Sequence, residues 1–232
     1  MRLPPTGSFG IPRRWSNRVL RRLGPLFEGD VINVSGWKDQ DKEGAHYRDY
    51  FSSAANYFVS NTKGQCGLAD PEAVSDFEID LSRPLPEELR ERFDVVFNHT
   101  TLEHVSELET AFENLSKLTR DVLILVVPFA QQVHFTESYG DYWRFTPMGV
   151  RHLLAKNGLG VVYEDASRFD NAGIYVLVVG SKDPDRWRRR LPDFAAVQSL
   201  GNWIGASGPS EFFRKLLNFA LRKLGTSAGQ QE

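Results

Sequence analysis

The sequence predicts an α/β fold in which a doubly wound sheet of seven strands, mostly parallel, carries helices on both faces. Short apolar, β-branched runs alternate along the chain with segments of helical periodicity, which is the pattern of βαβ units. Near-continuous valine, isoleucine and leucine in residues 122–127 indicates a central strand buried on both faces. The chain has 232 residues, of which 41% are hydrophobic, and this is enough for one domain with a large core.

The predicted elements follow one another in a regular order. The strands comprise residues 30–35, 55–61, 76–82, 92–100, 121–129, 158–169 and 172–182. A helix over residues 106–120 places leucine, alanine and phenylalanine on one stripe, with Ser106 as its N-cap. A second helix over residues 146–158 has Thr146 as its cap and ends at Gly158. Strands and helices of this length predict one layered domain.

The two ends of the chain are more basic than its middle. Residues 11–27 and 210–225 combine apolar positions at helical spacing with arginine and lysine. We therefore divide the chain into an N-terminal basic helical extension (1–27), a central domain (28–182), and a connector with a C-terminal amphipathic helix (183–232). Each terminal helix has two interpretations, which are packing on the domain and contact with an anionic membrane surface or a partner.

Composition narrows the function classes. The formal net charge of -2 gives no global basic field, so we expect no nucleic-acid partner. A single cysteine excludes a disulfide framework and fits a reducing compartment. The N-terminus has no apolar signal-peptide core, and no run is long enough for a membrane-spanning helix. We predict a cytoplasmic protein, with peripheral attachment to the inner membrane face as an alternative. A homodimer is compatible with the sequence.

The most specific pattern is FDVVFNHTTLEHV, residues 93–105, in which an apolar strand runs into a polar turn and then a Leu-Glu-His-Val helix opening. This stretch resembles the fourth-strand region of class I S-adenosylmethionine-dependent methyltransferases of the type 11-like group. The segment DFEIDLSRPLP before it and the strand ending in Pro128 after it match the order of that family. Residues 158–182 resemble the last two strands of the family, with the final strand antiparallel. The resemblance covers residues 28–182 and implies a Rossmann-like fold.

The resemblance implies S-adenosyl-L-methionine as the cofactor, held at the carboxyl ends of the strands. It assigns cofactor contact to Ser35, Gly36, Asn61, Asp80, Leu81, Asn98 and His99. Gly36 is either a close-approach point for a cofactor without phosphate groups or an ordinary turn glycine. Asp80 is either the acid that meets the adenine amino group or a turn cap. Asn61 stands where the family has an acid for the ribose hydroxyls, so it would accept hydrogen bonds without a charge.

The loop over residues 129–146 follows the fifth strand and is predicted to overhang the pocket. Tyr142, Trp143 and Arg144 suit a small polar or glycan acceptor, because aromatic faces stack on sugars and charged groups bond hydroxyls. The alternative is a packed lid with Trp143 buried and Arg144 paired to an acid. Residues 141–154, DYWRFTPMGVRHLL, resemble a subset of the family that acts on sugars or cell-surface glycans. We predict methyl transfer to a hydroxyl of such an acceptor.

Methyl transfer to a hydroxyl requires a base that takes the hydroxyl proton. Because the cofactor already carries an activated methyl group, the other task of the protein is mainly to orient the two reactants. His134 is the first candidate, because imidazole titrates near neutrality, and Asp141 is the second. His104 is the third candidate, and its alternative is a structural role. Glu103 lies near a predicted helix N-terminus, where the helix dipole favours an acidic side chain, so a structural role is also an interpretation of Glu103. The histidine spacing matches no metal signature, so we predict no metal.

A methyltransferase-like protein without catalysis, serving as a binding or scaffold protein, is the alternative function, motivated by the single loop glycine and Asn61.

Overall fold

The computed structural model describes residues 12–63, 69–137, 139–169, 172–198 and 200. They contain one sheet of seven strands in the order β3-β2-β1-β4-β5-β7-β6. The strands are β1 (Gly29–Val34), β2 (Ala54–Asn61), β3 (Phe77–Glu78), β4 (Phe93–His99), β5 (Thr119–Pro128), β6 (Gly160–Phe169) and β7 (Ala172–Ser181). The predicted seven-stranded sheet is confirmed, although β3 has only 2 residues and is much shorter than expected.

The pairing of the strands places a crevice at the centre of the sheet. Strand β1 pairs in parallel with β2 and β4, and β4 pairs in parallel with β5. Strand β7 lies antiparallel between β5 and β6, so the predicted antiparallel last strand is confirmed. The strand order reverses between β1 and β4, and ligands of doubly wound sheets bind outside the carboxyl ends of the strands at such a point.

Helices cover both faces of the sheet. They are α1 (Pro12–Leu23), α2 (Leu108–Leu118), α3 (Pro147–Lys156) and α4 (Pro184–Arg188). Helices α1 and α4 contribute to the core on one face, and α2 and α3 to the core on the other. The crossover from β1 to β2 contains only a short 3-10 segment, Tyr47–Tyr50. Its two tyrosines are buried with α1, so this segment takes the packing role that a crossover helix would have.

Strand β5 is buried on both faces, as its composition predicts. Ile124 and Val126 belong to the core beneath α1, and Leu123 and Leu125 belong to the core beneath α2 and α3. All four side chains are fully buried. Burying one such side chain contributes about 2 kcal/mol, so this strand anchors the two layers to each other.

Helix α3 begins and ends where the sequence predicts. The Thr146 hydroxyl accepts a hydrogen bond from the backbone N–H of Gly149 at 3.0 Å, which satisfies one unpaired amide of the first turn. Gly158 follows the helix with φ +75°, a left-handed conformation that glycine adopts without a side-chain clash. The cap and the exit glycine are therefore both confirmed.

The start of α2 differs from the prediction. The helix begins at Leu108, and Ser106 donates its hydroxyl to the Glu107 carboxylate instead of capping the helix. Residues Leu102–His104 form a separate 3-10 turn. The carbonyl of Glu103 accepts the Tyr142 N–H at 2.7 Å, so it is not available for a continuing helix. The Leu-Glu-His-Val sequence therefore does not open α2.

Helix α1 packs on the sheet. Leu20 and Leu23 are fully buried, and Arg22 donates to the Tyr163 hydroxyl of β6 at 2.7 Å. The packing interpretation is thus correct for this helix. The predicted amphipathic helix over residues 210–225 lies outside the described residues. Within the described part of the chain, no helix is long and apolar enough to cross a membrane.

Candidate active site

A cavity of about 630 Å³ opens at the carboxyl ends of β1, β3 and β4. This volume is typical of a site for a small molecule or cofactor. The predicted site residues on its walls are Ser35, Gly36, Asp80, Leu81, His99, His104, His134 and Tyr142. Other predicted site residues are not on these walls, namely Asn61, Asn98, Asp141, Trp143 and Arg144. The cavity therefore brings together most of the cofactor candidates and two of the three base candidates.

The loop after β1 is held in an unusual backbone conformation. Ser35, Trp37 and Asp39 have φ values of 57°, 50° and 57°, which non-glycine residues rarely adopt. Side chains hold this conformation in place. Asn33 donates to the Asp39 carboxylate at 2.8 Å, and the Trp37 N–H donates to the Asn61 Oδ1 at 2.7 Å. Backbone strain of this kind persists only where the surrounding structure over-determines it, and it clusters at functional sites.

Gly36 is required by the packing of this loop. A Cβ atom at Gly36 would lie 2.6 Å from Asn33 Nδ2 and 2.8 Å from Val59 Cγ1. The missing side chain therefore faces the sheet and not the cavity, while the Gly36 backbone still lines the cavity. The space left by the absent side chain is filled by β1 and β2 side chains, and close approach of a cofactor to the Gly36 backbone stays a prediction.

Asn61 and Asn98 are not on the cavity wall, and their amides donate into the protein interior. Asn61 has all its polar atoms engaged there, which argues against a cofactor contact, whereas Asn98 Oδ1 has no partner among the described residues and its assignment stays a prediction. The Asn61 amide donates to the carbonyls of Trp37 and Val74 at 3.2 and 2.7 Å, in addition to accepting the Trp37 N–H. The Asn98 amide donates to the Val34 carbonyl at 2.9 Å. Both side chains are fully buried. An acid in place of Asn61 could not donate to these carbonyls, so the neutral amide is what this loop needs.

Asp80 caps a turn and also lines the cavity, so its contact with an adenine ring stays a prediction. Its Oδ1 accepts hydrogen bonds from the Ser82 N–H at 2.9 Å and from the Ser82 hydroxyl at 2.6 Å, so it caps the turn after β3. Its carboxylate also lines the cavity and is 40% exposed, beside the buried Leu81. A carboxylate next to an apolar surface fits the amino group and the face of an adenine ring.

His99 belongs to a ring of hydrogen bonds that positions Arg13 of α1. Arg13 donates to the Tyr47 and Thr100 hydroxyls at 3.1 and 3.0 Å. The Ser16 hydroxyl donates its proton to the Arg13 carbonyl, so it can only accept from the Nε2–H of His99. The other ring nitrogen, Nδ1, then accepts the hydroxyl proton of Thr100. Burial keeps the pKa of His99 well below its ordinary value, so the imidazole is neutral. His99 therefore offers no free ring nitrogen to a ligand, and Arg13 presents its guanidinium at the cavity wall.

Glu103 is the most unusual polar group in the cavity. It is fully buried, and neither carboxyl oxygen has a hydrogen-bond partner among the described residues. The neighbouring His104 donates its Nδ1–H to the Gly140 carbonyl at 2.6 Å, so its Nε2 carries a lone pair 3.9 Å from Glu103 Oε1. Burial lowers the pKa of His104 and raises the pKa of Glu103 to about 7. The sequence offers the dipole of the following helix as a structural interpretation of Glu103, but Glu103 lies in a separate turn before that helix.

Asp141 is held in an ion pair and is no base for the cavity, which corrects the second candidate. Its carboxylate is 1% exposed, accepts from Arg144 Nη2 at 2.8 Å, and accepts the His134 N–H at 2.8 Å. The Arg144 guanidinium holds the pKa of Asp141 well below its usual range. The packed-lid alternative is thus correct for Arg144. Trp143 is 37% exposed instead of buried, with its indole N–H on the Val105 carbonyl.

An aromatic wall faces the cavity from the loop after β5. The His104 ring lies 4.9 Å from the His134 ring and 4.8 Å from the Tyr139 ring, measured between centroids. Tyr142 lines the same space and is 55% exposed. Gln131 adds a buried carbonyl oxygen without a partner among the described residues. Such a wall presents ring faces and hydrogen-bond acceptors to a ligand.

The sequence gives no individual role to Arg13, Gln131 or Tyr139, and for Glu103 it offers only a structural role on the helix dipole. Gln131 and Tyr139 lie in the predicted overhanging loop, so the aromatic and polar composition of that loop was the available signal. Arg13 comes from a helix whose docking depends on the whole sheet, and no local pattern indicates its contact with Thr100. In the described part of the chain, no group of three or more histidine, cysteine or acidic side chains is arranged to hold a metal ion.

Comparison with solved structures identifies the fold. The structure is similar to an S-adenosylmethionine-dependent methyltransferase from Clostridium acetobutylicum, with a TM-score of 0.52 and 9% identity over 73% of this chain and 91% of that chain. An S-adenosylmethionine-dependent methyltransferase from Mesorhizobium loti gives a TM-score of 0.51 and 11% identity over 75% of this chain and 100% of that chain. No protein-family model and no curated protein matches the sequence. With the strand order above, these likenesses establish the class I methyltransferase fold.

Proposed function

We propose that this chain, which has the class I methyltransferase fold, is an S-adenosylmethionine-dependent methyltransferase that acts on a hydroxyl of a small polar or carbohydrate-like molecule. The observation that carries the proposal is the cavity at the reversal of strand order. Towards β3 its wall offers Asp80 and Leu81, and towards β5 it offers Glu103, His104 and His134. We call the first part the donor half and the second the acceptor half.

The donor half fits the proposed cofactor. Asp80 would accept hydrogen bonds from the adenine amino group, and Leu81 would contact the ring. Thr62 lines the cavity directly after β2 and offers a hydroxyl to the ribose, in place of the acid that Asn61 does not provide. The Arg13 guanidinium would attract the carboxylate of the amino-acid part. The cofactor supplies an activated methyl group when bound, so the residues here need only bind and orient.

The acceptor half favours a ligand rich in hydrogen-bond donors. Glu103 and Gln131 bring carboxyl and carbonyl oxygens without partners among the described residues. Tyr139 and Tyr142 add ring faces of the kind that stack on sugars. A polyhydroxylated acceptor satisfies both features. Glu103, His104 and His134 are the groups on the wall that could take a proton from its hydroxyl.

Calorimetric titration with S-adenosylhomocysteine tests the proposal. We expect saturable binding to the unmodified protein and an affinity about tenfold weaker for Asp80→Ala, since one hydrogen bond to a charged group contributes about 1.5 kcal/mol. Glu78→Ala is the matched control. Its carboxylate is 51% exposed, pairs with Lys63 and is absent from the cavity wall, so its affinity should be unchanged. Absence of binding at millimolar ligand would refute the proposal.

A binding or scaffold protein without catalysis is the second candidate function. The observation that favours it is the use of Asn61 inside the loop after β1, which removes the acid that the resemblance implies at the ribose. Under this alternative, neither S-adenosylmethionine nor its demethylated product binds. The calorimetric titration therefore separates the two functions directly.

A further inference from the structure

We propose that Glu103 is the base of the methyl transfer and that it becomes a carboxylate when the positively charged methyl donor enters the cavity. The inference rests on the proposed function and adds to it a coupling between donor binding and the protonation of one side chain. It concerns a residue of the acceptor half for which the sequence offers only a structural interpretation.

The geometry around Glu103 leaves its carboxyl group free for a ligand. The side chain is fully buried and lines the cavity, and both oxygens are without a hydrogen-bond partner in the part of the chain that the structure describes. Its backbone is fixed, because its carbonyl accepts the N–H groups of Tyr142 and Trp143 at 2.7 and 3.4 Å. A buried polar group without a partner is costly, so a site that keeps one has a ligand or a proton to receive there.

The groups that face Glu103 explain its protonation. Burial is the largest influence and raises its pKa to about 7, while Arg13 and Arg144 lower the pKa and Asp141 raises it. His104 presents a lone pair instead of an N–H, so it gives the carboxylate no hydrogen bond. The charged and titratable groups around Glu103 come from four elements and are Arg13, His104, His134, Asp141, Arg144 and Tyr175. Near neutral pH the carboxyl group is therefore about half protonated.

A positive charge in the same cavity shifts this balance. A cation favours the charged form of a nearby carboxyl group, and the effect is large where water is excluded. The sulfonium of S-adenosylmethionine is such a cation, whereas the sulfur of S-adenosylhomocysteine is neutral. Donor binding should thus lower the pKa of Glu103 and release a proton, and product binding should not.

The same coupling gives the residue its role in the reaction. The acceptor oxygen forms a bond to the methyl carbon, the carbon–sulfur bond breaks with its electron pair remaining on sulfur, and the hydroxyl proton moves to the Glu103 carboxylate. Since the positive charge has then gone, the pKa of Glu103 rises again and the proton is retained until the products leave. The base is therefore fully ionised only while a donor is present.

Proton release on ligand binding tests the inference without a known acceptor. Calorimetry at pH 7 in two buffers of different ionisation enthalpy gives the number of protons released with S-adenosylmethionine and with S-adenosylhomocysteine. We expect the unmodified protein to release up to about half a proton more than Glu103→Gln with the first ligand, and equal numbers with the second. Glu107→Gln removes an exposed carboxylate from the same cavity wall and should behave as the unmodified protein.

Two outcomes would overturn the inference. Equal proton release by the unmodified protein and Glu103→Gln with S-adenosylmethionine would show that Glu103 does not respond to the donor. If Glu103→Gln does not fold, infrared difference spectra of the unmodified protein decide instead. A protonated-carboxyl band that is equally strong with both ligands contradicts the inference. Failure of both ligands to bind would refute the proposed function itself, and is thus distinguishable.

Discussion

The loop that borders the donor half and the acceptor half differ in how far their polar side chains are paired. In the donor half, the loop after β1 directs Asn33, Asp39 and Asn61 into hydrogen bonds with one another and with the backbone. In the acceptor half, Glu103 and Gln131 keep oxygens without partners among the described residues. The difference indicates that the loop beside the donor half is organised before any ligand arrives. The oxygens of the acceptor half, in contrast, gain hydrogen-bond partners only when a ligand binds.

The largest expected effect is on the free energy of unfolding, which the buried Glu103 carboxyl group of the acceptor half lowers when it ionises. The folded pKa of Glu103 is about 7, above the usual value near 4.3 of an unfolded chain, so the folded state binds more protons between these values. Stability should fall as the pH rises through this window. Glu103→Gln should therefore raise the free energy of unfolding by up to roughly 3 kcal/mol at pH 8 and change it little at pH 4.

Urea denaturation of both proteins at pH 4 and pH 8 measures this effect. A difference between the two proteins that is independent of pH would mean that Glu103 ionises as it does in water. The polar groups of the acceptor half would then be as well hydrogen-bonded as those beside the donor half, which would contradict the difference between the two halves.

The next effect is expected in the donor half. Asn61→Asp restores the acid that the resemblance implies, but it removes the donor to the carbonyls of Trp37 and Val74. We expect the free energy of unfolding to fall by about 2 kcal/mol, because buried acceptors lose their partner. The affinity for S-adenosylhomocysteine should not increase. Thermal denaturation together with calorimetry checks both, and a tighter complex of undiminished stability would place residue 61 on the ribose.

A similar but smaller loss is expected for Gly36→Ala. The added Cβ would meet Asn33 and Val59 at 2.6 and 2.8 Å, so the loop must shift from the sheet at a cost of about 1.5 kcal/mol. Gly149→Ala is a control in α3, where the added Cβ would meet only the Thr146 hydroxyl at 3.2 Å. Chemical denaturation should show a loss for the first variant and none for the second. Equal stability of both variants would mean that the loop is less tightly packed than the distances indicate.

The smallest effect on stability is expected for Tyr142→Ala, since this side chain is 55% exposed. The free energy of unfolding should change by less than about 0.5 kcal/mol, and the affinity for S-adenosylhomocysteine should not change. Denaturation and calorimetry measure the two quantities. A large loss of cofactor affinity would show that Tyr142 belongs to the donor half.

Much of the fold could be predicted from the sequence. The apolar composition of β5 and the cap of α3 are local signals, and the structure confirms both. The separate turn at Leu102–His104 could not be predicted, because the carbonyl of Glu103 is taken by Tyr142 from a distant loop. A helix pattern describes one segment of the sequence, so it contains no information on a residue from another loop that takes a hydrogen bond from that segment.

The site could be predicted only by position. Residues at and after the strand ends do surround the cavity, as Asp80, His99 and His134 show. The direction of each side chain depends on its partners, however, and the sequence does not give these. Asn61 turns inward because two carbonyls need its amide, and Asp141 is occupied by Arg144.

A crystal structure with S-adenosylhomocysteine bound tests the central claim most directly, since it locates the ligand relative to the two halves of the cavity. We predict density for the adenine beside Asp80 and Leu81, an unchanged loop after β1, and no contact between the ligand and the Gln131 side chain. Density for the nucleoside against Glu103, Gln131 and Tyr142 would contradict the account, because it would exchange the two halves.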